Sequence, residues 1–434
     1  MNHTYDITPA ALLPFALMLG SIAILPLAAP HFWEKNRNKL LIAVVLSIPT
    51  IFYLIANHLT AALVHSLVFD YVPFIILLGA LFIITGGIFV DGDIEAKPVV
   101  NTGFMALGAV LASVMGTTGA AMLLIRPLLH TNKTRRFKVH TFLFFIGIVA
   151  NCGGLLTPLG DPPLFMLYLR GVPFTWFFTL LPVWLLVNSI LLIIYFVLDN
   201  YHFRRESEEV RRIEHENIKP IRIQGKLNFL WLAGVVLAVA LLNKETIPTL
   251  FTNEWMGFIR EGVIALFACI SLRATPRLVR VCNSFTWEPV EEVAYLFLGI
   301  FVTMVPCILY LESNAATLGI TSPLHFYYAT GALSSVLDNT PTAVTFYSLA
   351  LGLVERGMTS PDMIAGIPEN LLWAIAVAAV LFGSMTYIGN GPNFMIKAVA
   401  ESNNVKMPSF FRYIIVFALP VLLPVFVLVA WLFM

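Results

Sequence analysis

The sequence predicts an all-α polytopic membrane protein, built as an inverted repeat of two five-span halves, each with a re-entrant hairpin and an interrupted helix. Three observations lead there: an apolar excess too large for a soluble domain, basic residues confined to a few short loops, and two pairs of internally similar segments. Of 434 residues, 59% are hydrophobic and 12% charged, where a soluble domain carries about 25% charged. That excludes a soluble enzyme. The 27 Gly and 26 Pro fit membrane helices, which use both more freely than soluble ones. At ~20 apolar residues per crossing, the chain holds about ten spans. A net charge of +1 with scattered basic residues gives no footprint for nucleic acid. Cys152, Cys269, Cys282 and Cys307 lack the spacing of a zinc site or a disulfide framework.

Apolar runs at 9–29, 39–56 and 71–90 open the chain. The first reads as a span and not as a removable leader, because Met1–Thr8 has no Lys or Arg and no small-residue cleavage site follows. Lys35, Arg37 and Lys39 place the first connection inside. Runs near 139–169, 176–198, 227–242, 257–272, 290–311, 371–396 and 412–433 complete ten crossings and leave both termini outside. Two further stretches, 99–130 and 325–353, carry polar centres: Gly116-Thr117-Thr118-Gly119 and Asp338-Asn339-Thr340-Pro341. The first is expected to begin and end on the inner face, its exit marked by Lys133, Arg135, Arg136 and Lys138. The second begins and ends outside. Both therefore read as re-entrant hairpins, which a membrane tolerates only where they are buried in protein or line a cavity.

Self-comparison supplies the architecture. Leu111–Met122 matches Leu333–Val344 at five of twelve positions, and Thr157–Met166 matches Thr386–Met395 at five of ten. The two offsets nearly agree, so one duplication accounts for both. It divides the chain into a first half (1–200), a charged cytoplasmic linker (201–226) and a second half (227–434). Five crossings per half is odd, so the second half inserts upside down, which is the plan of secondary transporters with a site where the halves meet.

Four breaks in regular helix converge on the expected midplane: the two hairpin tips and the interrupted spans Gly160-Asp161-Pro162-Pro163 and Gly389-Asn390-Gly391-Pro392-Asn393. Pro and Gly in mid-span free backbone groups from the helical ladder. Such carbonyls, with Thr hydroxyls and Asn amides, are hard oxygen ligands that suit an alkali cation, Mg or Ca over a transition metal. A carboxylate at membrane depth costs ~2.5–3.5 kcal/mol even on the mild insertion scale and marks function by default. Asp161 and Asp338 are the two that stand out. For Asp161, ahead of Pro162 and Pro163, a helix-capping role is the competing reading. A proton and a cation would compete for such carboxylates, so exchange follows if the protein reorients only when its site is neutralised. Asn151, Thr117, Thr118, Thr157, Ser384 and Thr386 are expected to support the site, and Arg126 to reach towards the inner face. The histidines, His140 among them, read as interfacial.

These residues resemble the ion transporter superfamily, which includes dicarboxylate symporters, arsenite permeases, citrate carriers and the NhaD-type sodium/proton antiporters. Val336-Leu337-Asp338-Asn339-Thr340-Pro341 and Asn151–Asp161 are most similar to the antiporter branch, although that branch carries Asp-Asn in its first hairpin where this chain has Gly116-Thr117. The resemblance implies a sodium site at Asp161, Asp338 and Asn339 with Thr340 beside them. Gly160, Asn390 and Asn393 support it. It also implies an elevator mechanism, usually in a homodimer. Sodium or lithium and protons are then the transported species, in a bacterial inner membrane, with no resident cofactor. The alternative on the same fold is a cation- or proton-coupled carrier of a small carboxylate or oxyanion. An intramembrane aspartyl protease is disfavoured, since no Tyr-Asp partner motif lies within an expected span.

Overall fold

The computed structural model describes residues 7–93, 95–206 and 219–434. Residues 207–218 of the expected linker, Ile94 and the first six residues lie outside the described residues. The chain is mostly helical. Among the described residues, nine helical segments are long and apolar enough to cross a membrane.

The first half opens with α1 (Leu13–Ala28), α2 (Asn36–Ala56) and α3 (Val72–Thr85). The third span begins earlier than the expected 71, running from Thr60 through a π-helical stretch, Ser66–Tyr71. Asp70 is thereby helical and buried instead of lying in a loop, tolerated because Arg170 Nη2 donates to its Oδ2 at 2.8 Å. Next come α4 (Pro98–Met115) and α5 (Thr117–Thr131), broken at Gly116, whose φ of +83° a side chain would strain. The two helices fold back on each other. Asn101 near the start of α4 exchanges amide hydrogen bonds of 2.9 and 3.0 Å with Asn132 just past α5, and Gly108 of α4 lies against Leu124 of α5.

The interrupted span follows as α6 (Val139–Ile148), a 3-10 turn over Cys152–Leu156, a further turn over 157–161 and α7 (Pro162–Leu169). The half closes with α8 (Leu181–Arg204). The second half holds α9 (Leu227–Leu241), α10 (Phe258–Ala274) and the long α11 (Glu288–Asn314). Its hairpin is α12 (Pro323–Val336) and α13 (Asn339–Glu355), folded so that the Phe326 and Phe346 rings lie 6.1 Å apart. Its interrupted span is α14 (Glu369–Phe382), a 3-10 turn over Gly383–Met385 and α15 (Gly391–Ser402). A final span, Phe410–Phe433, ends in α16 (Leu423–Phe433).

Eight of the nine long segments coincide with expected crossings. The ninth, Pro98–Met115, is an arm of the first hairpin, and it reaches spanning length because the polar residues gather at its end. The expected crossings at 227–242 and 371–396 form shorter apolar helices, Leu227–Leu241 and Glu369–Met385, the latter cut off by the break before Gly391.

The charged connections meet one another. Lys39 pairs with Glu292 at 2.7 Å, and Asn36 donates to the Glu288 carbonyl at 2.9 Å. A small antiparallel ribbon, unforeseen from sequence, joins β1 (Phe89–Asp93) to β2 (Lys219–Gln224), the end of the linker. Asn228 and Asn283 donate to carbonyls at Gly87 and at Gly86 and Ile88. The 31–39, 86–93, 219–228 and 280–292 segments therefore share one face, as the distribution of basic residues requires.

Candidate functional site at the helix breaks

Each break is built by residues that cannot continue a helix. At Asp161, extended backbone (φ −143°, ψ 142°) is followed by Pro162 and Pro163. An N-cap side chain ordinarily accepts from the amides of the following turn, but these two prolines have none, and the Leu164 amide bonds the Asp161 carbonyl at 3.0 Å. The carboxylate makes no capping bond. It is free to turn towards the other breaks.

There it meets all of them. Asp161 Oδ1 accepts from Thr117 Oγ1 of the first hairpin tip at 2.8 Å and from Asn390 Nδ2 of the second broken span at 3.1 Å. Its Oδ2 accepts from Asn339 Nδ2 of the second hairpin tip at 2.5 Å. The Thr117 amide donates to the Gly160 carbonyl at 2.8 Å, which closes the first tip onto the first broken span. Asp161, Thr117, Asn339 and Asn390 are all buried. Among the described residues no Lys, Arg or His bonds to the Asp161 carboxylate; every donor on it is a neutral hydroxyl or amide.

Asp338 is placed differently. Its Oδ1 caps α13 by accepting from the Thr340 amide at 2.9 Å. The capping role considered for Asp161 thus falls to Asp338, because Asn339 and Thr340 after it keep their amides. Thr340 Oγ1 lies 3.4 Å from Asn339 Oδ1, which positions that side chain from behind.

A second layer of amides holds the first. Asn151 accepts from Asn390 Nδ2 at 3.1 Å and donates to Asn393 Oδ1 at 2.8 Å, while Asn393 Nδ2 donates to the carbonyls of Gly383 and Thr386 at 2.8 and 2.9 Å. Thr157 and Thr386 play matching parts. The Thr157 hydroxyl donates to the Ser113 carbonyl, and that of Thr386 to the Ser335 carbonyl at 2.6 Å. Each then accepts from an amide two residues on, Leu159 or Ile388, at 3.2 Å. Gly160 packs on the Gly154 carbonyl as Gly389 packs on that of Gly383. The same local frame therefore occurs at both breaks, although only one carries a carboxylate.

Other expected residues lie further out. Ser384 bonds its own helix at the Leu381 carbonyl, 2.6 Å away. Thr118 is half-buried and lines a crevice of about 90 Å³ with Thr117, Gly79, Pro162, Pro289 and Val290. That crevice joins the first hairpin tip to the start of α11, on the side of the charged connections. Arg126 bonds the Cys282 carbonyl and the Ser284 hydroxyl, at 3.2 and 2.8 Å.

A buried polar cluster escaped the sequence reading. Asp199 near the end of α8 accepts from Arg135 Nη1 at 3.0 Å and from Asn101 at 3.3 Å, forms an ion pair with Arg135 Nη2 at 2.7 Å, and lies 2.8 Å from His140. His140 is thus buried against protein at the start of α6. Its burial follows from the basic 133–138 loop folding back onto α8, which also brings the Phe137 amide to Glu206 at 2.9 Å.

Comparison with known proteins adds a family. The sequence profile of a family described as "Putative citrate transport" matches residues 4–434. A "46 kDa membrane protein" of Mycobacterium leprae (strain TN) is 26% identical over 310 residues, covering 69% of this chain and 68% of that protein.

Proposed function

This chain belongs to the citrate-transport family, and on that premise we propose that it is a secondary active transporter in which Asp161 takes a sodium or lithium ion and a proton in turn, exchanging one for the other. The observation that carries the reading is a carboxylate buried among neutral donors only. An uncompensated buried charge costs several kcal/mol, so Asp161 demands a proton or a cation. Thr117, Asn339 and Asn390 supply hydroxyl and amide oxygens that turn inward when the ion arrives. Asp338 adds a second carboxylate beside Asn339 and Thr340. Asn151, Thr157, Gly160, Thr386 and Asn393 hold the frame, with Thr118 and Ser384 at its margin.

The matching frames at the two breaks support an inverted duplication, with halves at 1–200 and 227–434 joined by the 201–226 linker. The parts that meet at Asp161 would move together as an elevator against α1, α2, α3, α9, α10 and α11, in a homodimer of the bacterial inner membrane with both termini outside. The crevice beside Thr118 gives this arrangement a route from the side of the charged connections.

The family's description favours a second reading, in which cation binding at Asp161 drives a small carboxylate such as citrate through the same tips. The absence of a bonded Lys or Arg at Asp161, among the described residues, makes it the second. Inside-out membrane vesicles carrying a respiratory pH gradient decide between the two. Antiport predicts that sodium or lithium collapses the gradient; no response to sodium, lithium or potassium, with accumulation of labelled citrate instead, overturns it.

A further inference from the structure

A groove of about 540 Å³ opens at the head of α2, lined by Lys35, Arg37, Asn38, Leu40, Leu41 and Val44. It lies away from the Asp161 junction, on the face that carries the charged connections. Its two ends differ in kind. Lys35 and Arg37 stand exposed at the start of the helix, while Leu41 and Val44 lie exposed about 6 to 10 Å beyond Arg37 at 1.5 Å per residue. Arg37, Leu41, Val44, Ile48 and Phe52 follow one another at spacings of three and four, so all share one exposed face of α2.

The neighbouring polar groups are already committed. Lys39 pairs with Glu292, Asn36 holds the Glu288 carbonyl, and Asn38 donates to the Phe32 carbonyl at 2.7 Å. Glu34, the acid of the 31–39 segment, lies 3.7 Å from His31 and does not line the groove. Among the described residues, the side chains of Lys35 and Arg37 make no ion pair or hydrogen bond. Two like charges therefore line the groove with no anion against them.

We infer that this groove binds an anionic phospholipid, with the phosphate on Lys35 and Arg37 and an acyl chain along Leu41, Val44 and Ile48. Basic clusters at the membrane surface attract anionic lipids. A zwitterionic lipid covers the apolar wall but brings a cation of its own to the two bases; a free phosphate meets the bases and leaves the wall bare. A second copy joined through this face by a two-fold axis sets Lys35 and Arg37 against their own images. An anionic amphiphile matches both ends at once. The site is independent of how the Asp161 centre couples ions.

Site-directed quenching tests this. The full-length protein, with its exposed cysteines removed as Cys269→Ser and Cys282→Ser, takes a fluorophore on the thiol introduced by Ile48→Cys, one turn beyond the groove. It is placed in phosphatidylcholine nanodiscs containing rising shares of phosphatidylglycerol or phosphatidylcholine brominated on the acyl chains. Half-maximal quenching is expected at an about 30-fold lower share of the brominated phosphatidylglycerol, the combined worth of two cations at the membrane surface. Lys35→Gln with Arg37→Gln should abolish that preference, and Arg136→Gln, in another basic loop, should leave it within about twofold. All three replaced residues are exposed, so folding is not at stake. Equal quenching by the two lipids, a preference that survives the double change, its loss in Arg136→Gln, or its displacement by inorganic phosphate at constant ionic strength each overturns the proposal. So does a change in oligomeric mass, by light scattering, in the double variant, which would mark the face as a contact between copies.

Discussion

Asn339, at the tip of the second hairpin, donates from Nδ2 to Asp161 Oδ2 at 2.5 Å, across 178 residues of sequence. This bond reaches across the chain to a buried carboxylate that, among the described residues, has neither a bonded cationic partner nor a capping bond. The amide that donates there carries an oxygen on the same carbon, so a rotation about the terminal torsion changes it from carboxylate donor to cation ligand.

Asn339→Ala removes both functions. A hydrogen bond to a charged group contributes ~1.5–3 kcal/mol, so half-saturating sodium should rise about 10- to 100-fold in vesicle assays. An unchanged sodium dependence would dissociate Asn339 from ion binding.

Asp338 offers a separation of cap from charge. Asn caps as well as Asp does, so Asp338→Asn should unfold at the wild-type temperature yet need about tenfold more sodium, in line with loss of one charged ligand. Asp338→Ala loses the cap as well, at a further ~1 kcal/mol of stability. Wild-type sodium dependence in Asp338→Asn would restrict that residue to capping.

The paired glycines are a test of the frame. A Cβ at Gly160 would collide with the Gly154 carbonyl, and one at Gly389 would sit 2.6 Å from that of Gly383. Gly160→Ala and Gly389→Ala should each destabilise by ~1–3 kcal/mol or more, lowering yield and unfolding temperature. Gly20→Ala and Gly103→Ala, with nothing within 4 Å, serve as controls and should match wild type.

Much of this was legible because a membrane makes polarity conspicuous. Asp161 and the hairpin centres stand out in apolar surroundings, and four breaks with Pro, Gly, Asn and Thr have few places to go but towards one another. Which carboxylate caps and which faces the junction was not legible from its type alone. It depends on whether the next two residues own amides, and the competing capping role for Asp161 overlooked what Pro162 and Pro163 remove. The Asp199 cluster was hidden for another reason. Arg135 reads as one base of a loop, and nothing in the local sequence tells that the loop folds back onto the last turns of α8. The 89–93 and 219–224 ribbon likewise depends on two distant segments emerging on one face.

That cluster carries its own prediction. Asp199 and Arg135 have no exposed side-chain surface, and removing one partner of a buried pair strands the other. Asp199→Asn should cost ~3–5 kcal/mol, read as a lowered unfolding temperature in detergent, with the Arg135→Met, Asp199→Leu double variant less destabilised than the single one. Wild-type stability in Asp199→Asn would contradict the pairing.

Proton release on sodium binding tests the Asp161 centre most directly. Purified protein in a weakly buffered solution is given sodium chloride, with choline chloride as the control, and the pH is recorded. Competition at one carboxylate predicts that sodium releases protons from wild type, that half-saturating sodium falls as pH rises, and that Asp161→Asn releases none. No proton release from wild type, or equal release from Asp161→Asn, would contradict the account.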